Sequence, residues 1–209
     1  MPSHIRLRRI FKPFINGLAK GLSKLGLRPN GATLIMLVCS LISFFCLVYL
    51  KTIFWYGIIV FITGIFDGVD GALARLNKRI TKFGGFFDSF MDRLSEFTIL
   101  LALLIDRWNQ TLWFIIDMKF IILTSLFASI MISYSRSRAQ TFHKGDYDIG
   151  LMARSERLFY IFIVSILATF FGFLNEFLFG FFLLVILTAL YRGIKIHKII
   201  KTAESKAHL

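Results

Sequence analysis

Six mostly apolar stretches follow one another along the chain, at about 32–50, 53–75, 83–105, 112–137, 155–173 and 176–193, with short polar and basic segments between them. Each is of the order of the ~20 residues a helix needs to cross ~30 Å of hydrocarbon. A segment in lipid must satisfy its own backbone donors, so these stretches predict helices. Ahead of them Ile5, Leu7, Ile10, Phe11, Phe14, Ile15, Leu18, Leu22 and Leu25 recur at helical spacing, with Arg6, Arg9, Lys12, Lys20 and Lys24 between them. That pattern predicts a basic amphipathic helix in the membrane interface, ended by Arg28-Pro29-Asn30-Gly31. The expected architecture is an all-α integral membrane protein of one domain over residues 1–209. Residues 1–28 form the interfacial amphipathic helix and its flank, and residues 29–209 form a bundle of six transmembrane helices. No internal repeat or low-complexity tract divides the chain.

Charge refines the topology. Hydrophobic residues make up 56% of the chain, yet the net charge is +13. The Lys and Arg residues cluster on alternate connections: before Ala32, from Arg75 to Lys82, from Arg136 to Arg157, and from Arg192 onward. Lys51, Arg107 and Lys119 are the few near the other helix ends. Basic loops stay on the cytoplasmic side, so both termini are expected there, and the positive charge faces anionic lipid rather than nucleic acid. The seven residues from Cys39 to Cys46 span about 10 Å of helical rise, too far for a disulfide. No cleavable signal peptide is expected, because the basic N-terminal segment has no apolar run of the required length.

Acidic residues stand out against this background. Asp67 and Asp70 lie three apart near the cytoplasmic end of the second stretch; Asp88 and Asp92 lie four apart at the cytoplasmic start of the third. Each pair occupies one helical face, and a short connection makes the two helices antiparallel neighbours. A carboxylate inside a membrane segment costs roughly 2.5–3.5 kcal/mol, and four held together repel one another unless a cation lies among them. Oxygen ligands select Mg²⁺ or Mn²⁺ over zinc, and His4, His143, His197 and His208 are too scattered to supply a softer set. Two such ions would suit phosphoryl transfer, with a less engaged carboxylate accepting a hydroxyl proton. Gly71 opens the helix backbone to a ligand, and Gly84-Gly85 leaves a similar gap. Arg75, one turn beyond Gly71, can reach the same ligand's phosphates. The alternative readings of the aspartates are an ion or proton pathway, as in a divalent-cation transporter, or structural pairs with Arg75, Arg93 and Arg136.

The pattern Asp67-x2-Asp70-Gly71-x2-Ala74-Arg75-x8-Gly84-x3-Asp88-x3-Asp92 resembles the signature of the CDP-alcohol phosphotransferase family at every defined position. The resemblance implies an enzyme that displaces CMP from a CDP-linked lipid, CDP-diacylglycerol or CDP-archaeol, with an acceptor alcohol. It also implies a homodimer with two Mg²⁺ ions per site. By the same resemblance Asp67, Asp70 and Asp88 are metal ligands, Asp92 is both ligand and general base, and Gly71 and Arg75 contact the CDP moiety. Asn30, Gly31, Ala32 and Thr33 resemble the nucleotide-contacting entry to the first span, and Thr81 stands where a further CDP contact is expected.

Two more cytoplasmic clusters bear on the acceptor: Ser133-Tyr134-Ser135-Arg136-Ser137-Arg138-Ala139 and Arg154-Ser155-Glu156-Arg157-Leu158. Arg136 and Arg138, with Arg154 or Arg157, can form a cationic pocket for a phosphate on the acceptor, or serve as topology flanks with a Glu156 salt bridge. Together with Asp92-Arg93-x2-Glu96, these clusters are similar to the branch making phosphatidylinositol phosphate or archaetidylinositol phosphate. That resemblance implies inositol 1-phosphate as acceptor; glycerol 3-phosphate, serine and another inositol-containing alcohol are the competing acceptors within the same chemistry.

Overall fold

The computed structural model describes residues 7–142, 147 and 149–207, without the side chains of 8, 9 and 203–207. Ile5, Arg6, the Arg9 side chain, His4, His143, His208 and both chain ends, to which sequence expectations attach, therefore lie outside the described residues. A short helix α1 (Leu7–Ile10) leads into α2 (Lys12–Lys24), followed by α3 (Pro29–Val48), α4 (Ile53–Leu76) and α5 (Lys82–Asp106). A two-stranded hairpin, β1 (Thr111–Leu112) and β2 (Ile116–Asp117), precedes α6 (Met118–Phe142), α7 (Arg154–Phe171) and α8 (Leu174–Ala207).

Helices thus occupy all six apolar stretches. Pro29 at the first turn of α3 has its φ preset for helix and no N–H to leave unpaired. Thr81 caps α5, its hydroxyl accepting from Gly84 N at 2.9 Å. Gly172, at φ 74°, ends α7. Four helices, α3, α4, α6 and the Leu174–Thr202 part of α8, are long and apolar enough to cross a membrane. The other two, α5 and α7, are interrupted by charge: α5 carries Asp88, Asp92, Arg93 and Glu96, and α7 carries Arg154, Glu156 and Arg157.

Two boundaries differ from the sequence reading. The fourth stretch begins as a hairpin rather than a helix, with Thr111 opposite Asp117 and Leu112 opposite Ile116. Its turn takes Trp113 and Phe114 through positive φ, which a continuous helix cannot accommodate. The sixth helix runs on past residue 193 to Ala207, because the Lys, Ile, His and Ala residues beyond Gly193 include good helix formers and no proline.

Helix α3 packs between α4 and α5, α7 lies against α4, and α6 pairs with α8. The main core joins Tyr56, Val60, Ile99, Leu103, Ile161 and Phe181. A second cluster of Ile15, Ala19, Ala32, Val69, Ala72 and Leu73 fastens α2 across α3 and α4. Several buried hydroxyls bond within their own helices, as Thr63 to Ile59 O (2.9 Å) and Ser165 to Ile161 O (2.7 Å), while Tyr56 reaches across to Ile99 O at 3.1 Å. The outside is apolar, with Val38, Phe45, Phe86, Phe90 and Phe127 all exposed, as suits contact with lipid.

Small residues set the closest approaches. A Cβ at Gly57 would come 2.6 Å from Ser165 Cβ, so α4 and α7 meet there almost backbone to backbone. A Cβ at Gly68 would come 2.6 Å from Ile15 Cδ1, which seats α2 on α4. Gly57→Ala should therefore destabilise the detergent-solubilised protein by about 1–3 kcal/mol, the usual range for overpacking. Adding Ser165→Gly removes the clashing atom and should restore the midpoint of thermal unfolding. No recovery in the double variant would mean that some other contact limits the approach.

Candidate active site

The acidic faces predicted on the second and third stretches do meet. Asp67 and Asp70 lie in the second half of α4 and are buried, 6% and 5% exposed, while Asp88 and Asp92 on the first half of α5 are half-buried. The carboxyls of Asp88 and Asp70 are close neighbours, as are those of Asp67 and Asp92. The residue 77–81 connection makes this possible by turning the chain sharply, with Lys78 at φ 51°. From α3, Thr33 donates to Asp70 Oδ2 at 2.9 Å.

One cation from a distant part of the chain enters the cluster. Arg154, the first residue of α7, donates through Nη1 to both Asp67 Oδ1 and Asp92 Oδ1. Its Nη2 bonds Ser95 Oγ at 3.0 Å and approaches Met36 Sδ at 3.4 Å. The guanidinium offsets part of the repulsion among the carboxylates, and marks where the cluster accepts positive charge. Among the described residues no three acidic, histidine or cysteine side chains are already arranged around a point that could hold an ion, and Asp67 and Asp92 are both engaged by Arg154. The donors themselves fit a hard divalent cation: carboxylate oxygens from two helices consecutive in the chain, both packed on α3, without sulfur or imidazole.

The nucleotide-side candidates gather at the mouth above this cluster. A Cβ on Gly71 would meet Arg75 Nη1 at 3.4 Å, so the Arg75 side chain folds back over the bare backbone at Gly71. Asn30 Oδ1 is 3.7 Å from a Cβ built on Gly84, and Thr81 Oγ1 is 2.9 Å from it. Asn30, Gly84 and Thr81 are thus neighbours, although Thr81 is engaged as the α5 cap. Gly31 and the buried Ala32 and Thr33 form the adjoining turn of α3.

The four arginines expected around an acceptor phosphate fare differently. Arg154 stands against the carboxylates. Arg157 does not share a pocket with Arg136 and Arg138: it is 1% exposed and paired with Glu96, Nε to Oε1 at 2.5 Å and Nη2 to Oε2 at 2.8 Å, with Nη1 on Met152 O at 2.8 Å. A guanidinium three residues past Arg154 on the same helical face points deeper into the bundle, where only a second acid can compensate it. On α6, Arg138 is exposed and stacks on Phe142 at 4.5 Å, while Arg136 is half-buried.

Several contributors escaped the sequence reading. Ser95 continues the helical face of Asp88 and Asp92, a spacing from which it could have been found, and Glu96, which the sequence offered only as part of the Asp92-Arg93-x2-Glu96 pattern, lies on the same face. Met36 lies one turn beyond Thr33, but nothing in its sequence setting marks it. Arg192 reads as a membrane-flanking charge; it is 2% exposed and donates to Ile149 O (2.6 Å) and Ile132 O (2.9 Å), fastening the segment before α7 to α6 and α8. Arg93 bridges α5 to α6 through Ser137 Oγ at 3.1 Å.

An open groove reaches Asp67, walled by Phe11, Ile15, Phe61, Gly68, Leu158 and Phe159. It runs between α1–α2, α4 and α7, and its lining is mostly apolar, with Asp67 and Ser155 as the polar side chains.

Known proteins resemble this chain in both sequence and fold. The archaetidylinositol phosphate synthase of Pyrococcus horikoshii is 35% identical over 164 residues, 77% of this chain and 81% of that one. The phosphatidylinositol phosphate synthase of Mycobacteroides abscessus is 29% identical over 165 residues, 79% and 74% of the two chains. Among solved structures, the phosphatidylinositol phosphate synthase of Mycobacterium tuberculosis with CDP-DAG bound superposes with a TM-score of 0.73 at 24% identity, covering 87% of this chain and 92% of that one. The same enzyme in complex with manganese and citrate gives a TM-score of 0.74, over 87% of this chain and 88% of that one. The family model described as CDP-alcohol phosphatidyltransferase matches residues 27–191, from the turn before α3 almost to Arg192 and across the whole aspartate pattern. This chain is a transmembrane helical member of the CDP-alcohol phosphatidyltransferase family.

Proposed function

We propose that this protein transfers the phosphatidyl or archaetidyl group of a CDP-linked lipid to a hydroxyl of inositol 1-phosphate, releasing CMP. The observation that carries the reading is the convergence of Asp67, Asp70, Asp88 and Asp92 from two helices at the mouth of an apolar groove, with Arg154 among them. The names of the relatives, archaetidylinositol phosphate and phosphatidylinositol phosphate synthases, support the choice of acceptor.

In this reading the groove seats a tail of the lipid and leaves its diphosphate beside Asp67. Arg75, folded over Gly71, contacts the phosphates, while Asn30, Gly31, Ala32, Thr33 and Thr81 flank the nucleotide. Asp67, Asp70, Asp88 and Asp92 would hold two divalent ions, Mg²⁺ or Mn²⁺, whose charge neutralises the diphosphate and the departing CMP. A manganese complex of the tuberculosis enzyme supports a divalent metal. Asp92, the more accessible partner of Arg154, accepts the proton of the inositol hydroxyl. The hydroxyl oxygen forms its bond to the lipid-proximal phosphorus, and the bond from that phosphorus to the CMP oxygen breaks. Arg154, with Arg136 and Arg138 on α6, binds the acceptor's phosphate; Arg157 is assigned to Glu96 instead. All of α3–α8 cross the cell membrane, both termini and the site face the cytoplasm, α2 lies in the interface, and the protein works as a homodimer.

Asp92→Asn should lower CMP release by about 10²–10⁴-fold, the range for losing a general base, with an unchanged unfolding midpoint. An active and folded Asp92→Asn protein would refute the base assignment. Treatment with EDTA should abolish turnover, and excess Mg²⁺ or Mn²⁺ should restore it; turnover surviving in chelator would exclude the metal reading. When labelled CDP-lipid is offered with inositol 1-phosphate, glycerol 3-phosphate, serine or inositol in turn, lipid product should form with inositol 1-phosphate. Product with another alcohol alone would reassign the acceptor within the same chemistry.

A further inference from the structure

We propose that Glu96, acting through Arg157, is a positioning residue that sets the reach of Arg154 into the carboxylate cluster; the inference rests on the proposed reading of that cluster as a metal-dependent transfer site.

Asp92 and Glu96 are four residues apart on α5, and Arg154 and Arg157 are three apart on α7, so each pair presents one face of its helix to the other. The result is a ladder of two rungs: Arg154 to Asp92 nearer the mouth, and Arg157 to Glu96 below it. The rungs differ in environment. Arg154 has a side chain 12% exposed and shares its Nη1 between two acids, whereas Arg157 and Glu96 are 1% and 5% exposed and paired through two parallel hydrogen bonds.

Position matters here because α7 packs its helix body on α4, while no comparably close packing joins α7 to α5 among the described residues. The span between α5 and α7 is bridged by these long side chains. The lower rung holds α7 in height and rotation relative to α5, and its third bond, Arg157 Nη1 to Met152 O at 2.8 Å, anchors the residue two positions before Arg154. A buried ion pair gives little net stability compared with apolar residues of similar volume, whereas loss of one partner alone strands a charge. Geometry is the better account of its presence: a rigid, bidentate rung places the next arginine along the helix.

The test compares Arg154→Gln with the paired variant Glu96→Leu/Arg157→Leu, which removes both charges of the lower rung together. Mn²⁺ binding to the detergent-solubilised protein, read by electron paramagnetic resonance, gives a measure independent of turnover and acceptor. Arg154→Gln should tighten Mn²⁺ binding about tenfold or more, because a competing cation has left the shared oxygens. The paired variant, with Arg154 intact but no longer held, should tighten it at least threefold while keeping an unfolding midpoint close to that of the wild type. It should also raise KM for inositol 1-phosphate more than tenfold and leave KM for CDP-lipid within threefold. A paired variant with wild-type Mn²⁺ affinity and wild-type KM values would overturn the inference while leaving the site reading standing. Should it fail to fold, Arg157→Lys, which keeps the charge but not the bidentate geometry, must show the same direction of change in Mn²⁺ affinity, or the inference falls. A wild type that binds no Mn²⁺ would overturn the reading of the site, and the inference with it.

Discussion

Four carboxylates in an apolar helical bundle must be compensated, and the way this chain compensates them organises the rest of the structure. Asp67 and Asp70 reach the cluster from α4, Asp88 and Asp92 from α5, and the tight residue 77–81 turn keeps the two helix ends together. A hydroxyl from α3 and a guanidinium from α7 complete the immediate surroundings. Four helices are thereby committed to one locus, and their packing is consistent with it: α3 sits between α4 and α5, and α7 leans on α4. Charge is concentrated where helices converge and withheld from the lipid-facing sides, where Phe86, Phe90 and Phe127 are exposed. The burial of Asp67 and Asp70 is tolerable because each has a donor, Arg154 for the first and Thr33 for the second.

Much of this was legible in the amino-acid pattern because two periodicities coincide. Apolar runs of the right length located the six helices, and acid spacings of three and four residues on consecutive helices required the two acidic faces to approach one another. The misreadings have local causes. Hydropathy does not distinguish Leu112–Ile116 in a hairpin from the same residues in a helix, since what decides is the positive φ at Trp113 and Phe114. A lysine-rich continuation looks like a loop in a search for spanning segments, yet it remains helical to Ala207 because nothing after Gly193 breaks it. Sequence clustering grouped Arg154 with Arg157, but three residues of helical rise separate a carboxylate cluster near the mouth from a buried pair below it. Arg192 shows the same limit from the other side: its membrane-flanking position explained its charge but not its burial, which follows from two backbone carbonyls that one extended guanidinium can serve.

The apolar groove and the polar cluster also constrain one another through α2. Ile15 packs on Gly68, the residue directly after Asp67, so close that a single added carbon would collide with it. Ile15 and Phe11 also wall the groove that ends at Asp67. Any displacement of α2 would therefore alter the groove and the surroundings of that carboxylate together. Ser23 donates to Asn77 at 2.9 Å, fastening the other end of α2 to the turn that follows α4. Held at both ends, α2 is part of the site's scaffold rather than a peripheral attachment. Under the proposed function this provides a physical reason for an amphipathic segment before the bundle. On that reading one face lies against the membrane boundary, and the other, through Phe11 and Ile15, sets the width of the groove proposed to seat a lipid tail, with the diphosphate beside Asp67.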